Sequence, residues 1–213
     1  MRINVGCGQM PTKGWRNFDN SFSLRLARLP ILPTLLLRLR LLDDNQFQFI
    51  QFARENAIEY GDATRSLPIP SSSVDVLYSS HMFEHLDRRE AVLFLKEAMR
   101  VLRSGGTIRL AVPDIQRQAR QYIATGDADA FIEATLLTQD RPRSFSQRLK
   151  LLLVGTRHHQ WMYDGRSLLR LLESEGFASA TVLEPGESRI EDPQDLNLRE
   201  RSSESVYLEA IKP

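Results

Sequence analysis

Residues 74–114 read VDVLYSSHMFEHLDRREAVLFLKEAMRVLRSGGTIRLAVPD, and this stretch decides the fold. It opens with an apolar run at 74–79, continues into an amphipathic segment at 88–102, and closes with a second β-rich run at 107–112. This spacing predicts a strand, a helix and a strand. Residues 104–106, Ser-Gly-Gly, are interpreted as the signal that stops the helix. A strand-helix-strand unit is typical of a parallel sheet in an α/β fold.

The same alternation continues towards both ends of the chain. Further strands are predicted at Arg2–Val5, Trp15–Phe18, Ala57–Tyr60, Ala180–Leu183 and Val206–Ile211. Helical spacing recurs at 21–56, broken by Pro30 and Pro33, at 115–155, broken near Gly126-Asp127 and Pro142, and at Gly165–Ser174. Only about ten residues separate the first two strands, so the usual crossover helix is expected to shrink to a turn. Residues 184–205 are expected to form a long polar loop.

Length and charge limit the class of protein. A chain of 213 residues can bury one good core, and we expect a single domain over 1–213. Its 28 Lys and Arg balance 27 Asp and Glu, so the net charge of +1 predicts no nucleic-acid partner. The single cysteine cannot form an internal disulfide, and the first strand begins too early for a signal peptide. We therefore expect a cytoplasmic location.

Candidate site residues follow the predicted strands. In open α/β sheets, ligands bind beyond the carboxyl ends of the strands, where strand order reverses. Glycines there let a ligand approach the backbone, and an acid there suits hydrogen bonding to ribose hydroxyls. The residues at these positions are Gly6, Cys7, Gly8, Asp19, Asp62, Ala63, Ser79, Ser80 and His81.

The glycine turn, the two acids and the strand-helix-strand unit at 74–114 follow one another in the order found in the class I S-adenosylmethionine-dependent methyltransferases. The sequence therefore resembles that family, and within it the type 11-like group. The resemblance implies a Rossmann-like methyltransferase fold, with a mostly parallel seven-stranded sheet, an antiparallel C-terminal strand, and helical insertions at about 22–56 and 115–163. It also implies S-adenosylmethionine as cofactor and S-adenosylhomocysteine as product, with Asp19 at the ribose and Asp62 at the adenine amino group. Two positions depart from the family: Asn4 replaces an acid, and Met10 replaces the third glycine.

Four histidines are the candidates for a catalytic base, since an unperturbed imidazole titrates near neutral pH. They are His81, His85, His158 and His159. Residues 81–85 also match the His-x-x-Glu-His spacing of inverted zinc peptidases. That motif requires a long helix, whereas here it follows a strand, so we expect no metal. The interpretation favoured is a loop beside the cofactor, with Glu84 or His85 opening the next helix.

Two further features have competing interpretations. Leucines and arginines over 24–42 predict either a helical lid packed on the sheet, which we favour, or a helix lying on an anionic membrane surface. The segment at 158–163 is either a packing loop with buried aromatics or part of the acceptor wall. Cys7, beside a glycine turn, is expected to pack rather than react.

The leading hypothesis is therefore methyl transfer to a small-molecule or glycan-type acceptor. Its alternatives are a catalytically silent cofactor-binding module and a less favoured RNA methyltransferase. Residues 22–56 and 115–163 are expected to form the acceptor pocket, because insertions at strand carboxyl ends overhang the crevice. Their arginines, including Arg38, Arg40, Arg148 and Arg157, favour an anionic acceptor. The sequence leaves the acceptor and the oligomeric state open.

Overall fold

Strands and helices alternate along the chain in the order that the apolar pattern predicts. The computed structural model describes every residue except 28, 30, 40, 41, 43 and 139–157. The strands are β1 (Arg2–Val5), β2 (Arg16–Asp19), β3 (Glu59–Tyr60), β4 (Val74–Ser80), β5 (Leu102–Pro113), β6 (Ala178–Leu183) and β7 (Ser205–Ile211). The helices are α1 (Phe22–Ala27), α2 (Leu32–Arg38), α3 (Asp44–Glu55), α4 (Arg88–Val101), α5 (Ile115–Thr125), α6 (Ala128–Thr135) and α7 (Gly165–Ser174).

The described strands form one seven-stranded sheet in the order β3-β2-β1-β4-β5-β7-β6. β1 to β5 run parallel, and β7 is antiparallel to both β5 and β6. Strand order reverses between β1 and β4, so the carboxyl ends of these two strands flank the expected ligand crevice. This confirms the predicted fold class.

The connection between β1 and β2 contains no helix over residues 6–15, all of which the structure describes. The prediction of a shortened crossover is thus confirmed. Asn17 holds this connection, because its side-chain amide exchanges hydrogen bonds with the backbone of Thr12 at 2.7 and 3.0 Å. Hydrogen bonds from buried amides stand in for those that a helix would make within its own backbone.

The interpretation of residues 104–106 as a helix stop is wrong. α4 ends at Val101, and the chain is already extended at Leu102, where β5 begins. The glycines instead accommodate an irregularity in the pairing with β4 between Val74 and Val76. A Cβ on Gly106 would lie 2.9 Å from the carbonyl oxygen of Val74, so only glycine fits this close backbone approach.

One face of the sheet is covered by helices. α4 and α7 place apolar side chains such as Phe94 and Leu168 against Leu77, Ile108 and other strand residues in the main core cluster. These helices begin with capping boxes built on Asp87 and Asp164. The capping box at Asp87 corrects the expectation that Glu84 or His85 opens α4, because those two residues lie in a 3-10 turn at Phe83–His85.

The opposite face is covered by the polar segment 184–204 instead of a helix. Ile190 and Leu196 of this segment pack on Trp15, Val76 and Tyr78. Beneath it lies a fully buried ion pair: Arg109 of β5 donates to the Glu209 carboxylate of β7 at 2.6 Å, and the two side chains are 0% and 1% exposed.

The Glu209 carboxylate also fixes the loop. It accepts hydrogen bonds from the Ser188 hydroxyl and from the Arg189 backbone N–H, each at 2.7 Å. Arg109 in turn donates to the carbonyl oxygen of Glu187 at 3.0 Å. The predicted loop is confirmed. The buried pair helps to hold this polar segment on the sheet, because Arg109 and Glu209 make charge-assisted hydrogen bonds to its backbone.

Segment 22–56 packs on the sheet edge as helices α1 to α3. Leu24 and Ala53 belong to one buried cluster with Cys7 of the glycine turn, and Leu26 packs in a second cluster with Leu42 and Ile50. These contacts favour the lid interpretation, although side chains such as Ile31 and Leu39 are exposed. Within the described ranges, no helix has the length and apolar character needed to cross a membrane.

Candidate functional site

The glycine turn after β1 is bound to the end of β2. The backbone N–H groups of Gly6 and Cys7 both donate to the carbonyl oxygen of Phe18, at 2.8 and 3.1 Å. Gly6 has a φ of +73°, and a Cβ there would lie 2.3 Å from Cγ of Met82. Glycine is therefore required for backbone conformation and for space, and Met82 lies directly against the turn.

Asn4, which stands where the family that the sequence resembles has an acid, supports this turn. Its amide nitrogen donates to the carbonyl oxygen of Met10 at 3.2 Å and to the Thr12 hydroxyl at 3.1 Å. Asn4 is buried in β1. An amide can donate these two bonds, whereas a carboxylate could only accept, so the asparagine holds a turn that lacks its helix.

Asp19 lies at the carboxyl end of β2, beside the glycine turn. Its carboxylate accepts the backbone N–H of Gly8 at 3.1 Å and that of Ser21 at 2.8 Å. The Asp19 carbonyl oxygen accepts the N–H of Gly61 at 3.1 Å. A carboxylate has about four lone-pair sites, so two bonds leave capacity for a ligand's hydroxyls.

The turn after β3 places Asp62 next along the same edge. One oxygen of its carboxylate accepts the Thr64 backbone N–H at 3.0 Å and the Thr64 hydroxyl at 2.7 Å, and the other lies 3.6 Å from exposed Arg65. Ala63 is buried in the main core cluster. Gly61 leaves room for Phe18, since a Cβ there would lie 2.8 Å from that ring.

The carboxyl end of β4 and the residue after it combine unpartnered hydroxyls with backbone strain. The Ser79 and Ser80 hydroxyls are buried and make no hydrogen bond within the described part of the chain. His81 has a φ of +47°, an unusual conformation for a side-chain-bearing residue that costs roughly 1–3 kcal/mol. Such strain concentrates at functional sites. Its Nε2 is 2.8 Å from the Ser205 hydroxyl, and its Nδ1 lies 3.4 Å from Arg201.

Three of the four predicted histidines lie around one buried carboxylate. Glu84 Oε1 is 3.5 Å from His81 Nδ1 and 3.9 Å from His159 Nε2, and the rings of His85 and His159 are 5.2 Å apart. Burial lowers the pKa of His159, while the Glu84 carboxylate acts in the opposite direction. His158 contributes its carbonyl oxygen, which is 3.0 Å from His85 Nδ1, and its imidazole does not join the group.

The aromatic residues of segment 158–163 divide between the two interpretations. Tyr163 is fully buried against Phe83, with ring centroids 5.3 Å apart, so it packs in the core. Trp161 is half-exposed, and the Arg88 guanidinium lies 5.0 Å from its ring centroid.

A cavity of about 460 Å³ opens beside Asp164 and Gly165, at the start of α7. Its lining residues are Asp114, Gln116, Asp164, Gly165, Arg166, Leu169, Val182 and Val206.

Sequence reasoning missed the contribution of the loop before β7. Arg201 and Ser205 contact His81, and the Glu200 carboxylate accepts from the Tyr78 hydroxyl at 2.9 Å. Nothing in the polar run 184–205 distinguishes these residues from solvated loop residues. Among the predicted arginines, Arg38 is exposed at the end of α2, whereas Arg40, Arg148 and Arg157 lie outside the described residues.

Cys7 is buried, and burial together with the nearby Asp19 carboxylate raises the pKa of its thiol to about 12. Because the thiolate is the reactive form, we expect Ellman's reagent to label the folded protein at least about a hundredfold more slowly than the chain unfolded in guanidinium. Cys7 is the only cysteine, so the signal is unambiguous. Equal labelling rates would show that Cys7 is accessible and contradict its packing role.

Comparison with known proteins agrees with this architecture. Residues 34–110, just over a third of the chain, match the model of a family described as a methyltransferase domain. A Methanosarcina mazei S-adenosylmethionine-dependent methyltransferase superposes with a TM-score of 0.53 at 16% identity, covering 99% of this chain and 91% of that one. No curated protein matches the sequence.

A second solved structure is a Thermotoga maritima S-adenosylmethionine-dependent methyltransferase, described as a possible histamine N-methyltransferase. It has a TM-score of 0.52 at 15% identity, with 99% and 81% of the two chains covered. At such identities, the likeness establishes the fold alone. The sheet order and the antiparallel β7 thus define a Rossmann-like methyltransferase fold. Residues 34–110 of this fold also match the methyltransferase-domain model.

Proposed function

We propose that this chain is an S-adenosylmethionine-dependent methyltransferase that binds its cofactor across the carboxyl ends of β1, β2 and β3, and methylates a small-molecule or glycan-type acceptor. One observation carries the cofactor site: hydrogen bonds from two glycine N–H groups to Asp19 join the glycine turn, Asp19 and the 61–63 turn. Gly8 donates to the Asp19 carboxylate, and Gly61 donates to the Asp19 carbonyl oxygen. The residues present fit the cofactor, because Gly8 has open space where a Cβ would lie.

The residues of this site have distinct roles in the proposal. Asp19 binds the ribose hydroxyls, Asp62 binds the adenine amino group, and Gly6, Cys7 and Gly8 offer the backbone to the methionine part. Ser79 and Ser80, whose hydroxyls are buried and unpartnered, are available at the end of β4. The cofactor supplies an electrophilic methyl group on a sulfonium. Holding an acceptor in line with it contributes on the order of 7–11 kcal/mol in favourable cases.

We propose one domain over 1–213, with segments 22–56 and 115–163 as insertions that wall the acceptor pocket. Support for the first is its packing in one apolar cluster with Cys7, and the hydrogen bond that ties Ser21, directly before the segment, to Asp19. The second is tied to the end of β5, where Ile115 donates to the Tyr163 carbonyl oxygen at 2.9 Å. His81, at the end of β4, is the first candidate for a base, with His85, His158 and His159 as the others.

Radiolabelled S-adenosylmethionine tests the proposal directly. Calorimetry first measures binding of S-adenosylmethionine and S-adenosylhomocysteine, and methyl transfer is then screened over cell extracts fractionated into small molecules, glycans and RNA. Label in the first two fractions supports the proposal. Label in RNA would contradict the acceptor class, and cofactor binding without any transfer would favour the silent binding module.

We expect Arg201 to bind an anionic group of the acceptor. Its side chain is 55% exposed and reaches His81, and its nearest carboxylate, Glu204, is 3.6 Å away and equally open to solvent. Arg201→Ala is therefore expected to raise the KM for an anionic acceptor about tenfold with little change in kcat. Arg103→Ala is the matched control, because Arg103 is 54% exposed with one exposed carboxylate partner at the opposite end of β5. Equal effects of the two variants would contradict this role.

A further inference from the structure

Glu84 carries a buried carboxylate in the 3-10 turn that follows β4. Its side chain is 1% exposed, and neither of its oxygens makes a hydrogen bond within the described ranges. Moving a carboxylate out of water costs several kcal/mol unless a positive charge compensates it. The groups that face it most closely are imidazoles, His81 and His159, at 3.5 and 3.9 Å. Among the described residues, the carboxylate therefore has no permanently charged cationic partner within ion-pair distance.

Two histidines and this carboxylate form a set of convergent ligand atoms. Glu84, His85 and His159 each present one such atom, and these atoms lie within 4.8 Å of one another. His85 Nδ1 is 3.0 Å from the carbonyl oxygen of His158, which can only accept. Nδ1 must then carry the proton, leaving the lone pair on Nε2. A backbone carbonyl behind the ring is the usual second partner of a metal-binding histidine.

The backbone holds the two ligand-bearing segments together. The Glu84 carbonyl oxygen accepts the N–H of Gln160 at 2.7 Å and that of Trp161 at 3.1 Å. These bonds fix His159 beside the 3-10 turn that carries Glu84 and His85. The third ligand thus comes from a distant part of the chain, and His81, the first histidine of the His-x-x-Glu-His spacing, is outside the set.

We propose that Glu84, His85 and His159 bind one divalent transition-metal ion, with Zn²⁺ as the best fit. Two histidines and one carboxylate with a free fourth position form a common catalytic zinc site. Bonds of about 2.0–2.1 Å require tetrahedral ligand atoms to lie about 3.4 Å apart, so these side chains contract on binding. This reverses the sequence-based expectation of no metal.

His85 is half-buried, so the proposed site is accessible to solvent at this side chain, and His81 lies next to Glu84. A metal ion at this position would lower the pKa of a bound acceptor hydroxyl, which would make it a better nucleophile for the methyl group. That role rests on the proposed function, whereas binding of the ion does not.

Metal binding is tested on the full-length protein after EDTA treatment and dialysis. Calorimetry with Zn²⁺ is expected to give one equivalent per chain, and Co²⁺ is expected to give the visible absorption of a tetrahedral site. Glu84→Gln, His85→Ala and His159→Ala should each weaken Zn²⁺ binding at least about tenfold. His158→Ala is the matched control, because only its backbone contributes, and it should bind Zn²⁺ as the wild type does.

Circular dichroism reports that each variant is folded, and binding of S-adenosylhomocysteine separates the two proposals. Wild-type protein that binds S-adenosylhomocysteine but no stoichiometric Zn²⁺ would overturn the metal site, as would equal losses in His158→Ala and His159→Ala. Zn²⁺ binding without S-adenosylhomocysteine binding would instead count against the proposed cofactor site and leave the metal site standing. Glu84→Gln preserves the shape of the side chain and gives a test if a truncated histidine variant fails to fold.

Discussion

Glu209→Gln is expected to lower the free energy of unfolding by about 3–5 kcal/mol, as is typical when one partner of a buried ion pair is removed. The substitution leaves Arg109 charged and fully buried without its carboxylate. It also places an amide N–H₂ group where one carboxylate oxygen had accepted the N–H of Arg189. Urea unfolding monitored by circular dichroism measures the change.

Glu59→Gln is the matched control. Glu59 forms a two-bond ion pair with Arg16 between neighbouring strands, at 2.7 and 2.6 Å, but both side chains are more than a third exposed. Exposed pairs contribute about 0–1 kcal/mol, so the control should change stability by no more than that. Similar losses in the two variants would mean that burial does not decide the energy of the Arg109–Glu209 pair.

Asp19→Ala is expected to weaken binding of S-adenosylhomocysteine by about 1–3 kcal/mol, or about 5- to 150-fold. The substitution removes the proposed ribose acceptor and also the carboxylate that holds the N–H of Gly8 in the glycine turn. Asp19→Asn keeps one acceptor oxygen and should lose less. Calorimetric titration of S-adenosylhomocysteine into each folded variant gives the affinities.

Asp127→Ala is the matched control, because it also removes a carboxylate that accepts a hydrogen bond from a backbone N–H group. Asp127 accepts the N–H of Ala130 at 2.9 Å at the start of α6, away from the glycine turn. Loss of this helix cap should cost about 1 kcal/mol of stability and leave the affinity for S-adenosylhomocysteine unchanged. Unchanged affinity in folded Asp19→Ala would exclude Asp19 from the cofactor site.

The positions of the candidate cofactor residues were predictable from local sequence. Gly6, Asp19 and Asp62 each follow an apolar run, and the carboxyl ends of parallel strands meet at one edge of a sheet. The histidine cluster was predictable only in part. The spacing of residues 81–85 suggested a metal motif, yet the proposed third ligand is His159, which backbone bonds from Gln160 and Trp161 bring to the turn. No sequence spacing encodes a contact across 75 residues of chain.

The sequence by itself determined the strand and helix order, the missing first crossover helix and the polar character of segment 184–205, because periodicity, loop length and turn residues are local properties. Only the tertiary structure decided what replaces that helix. Segment 184–204 covers the bare face of the sheet, and the Arg109–Glu209 pair beneath it fixes its backbone. In the sequence, Arg109 and Glu209 are each a charged residue between apolar ones in a strand, a pattern typical of a side chain that faces solvent. Their burial follows from which residues of distant segments meet, and that depends on packing across the whole sheet.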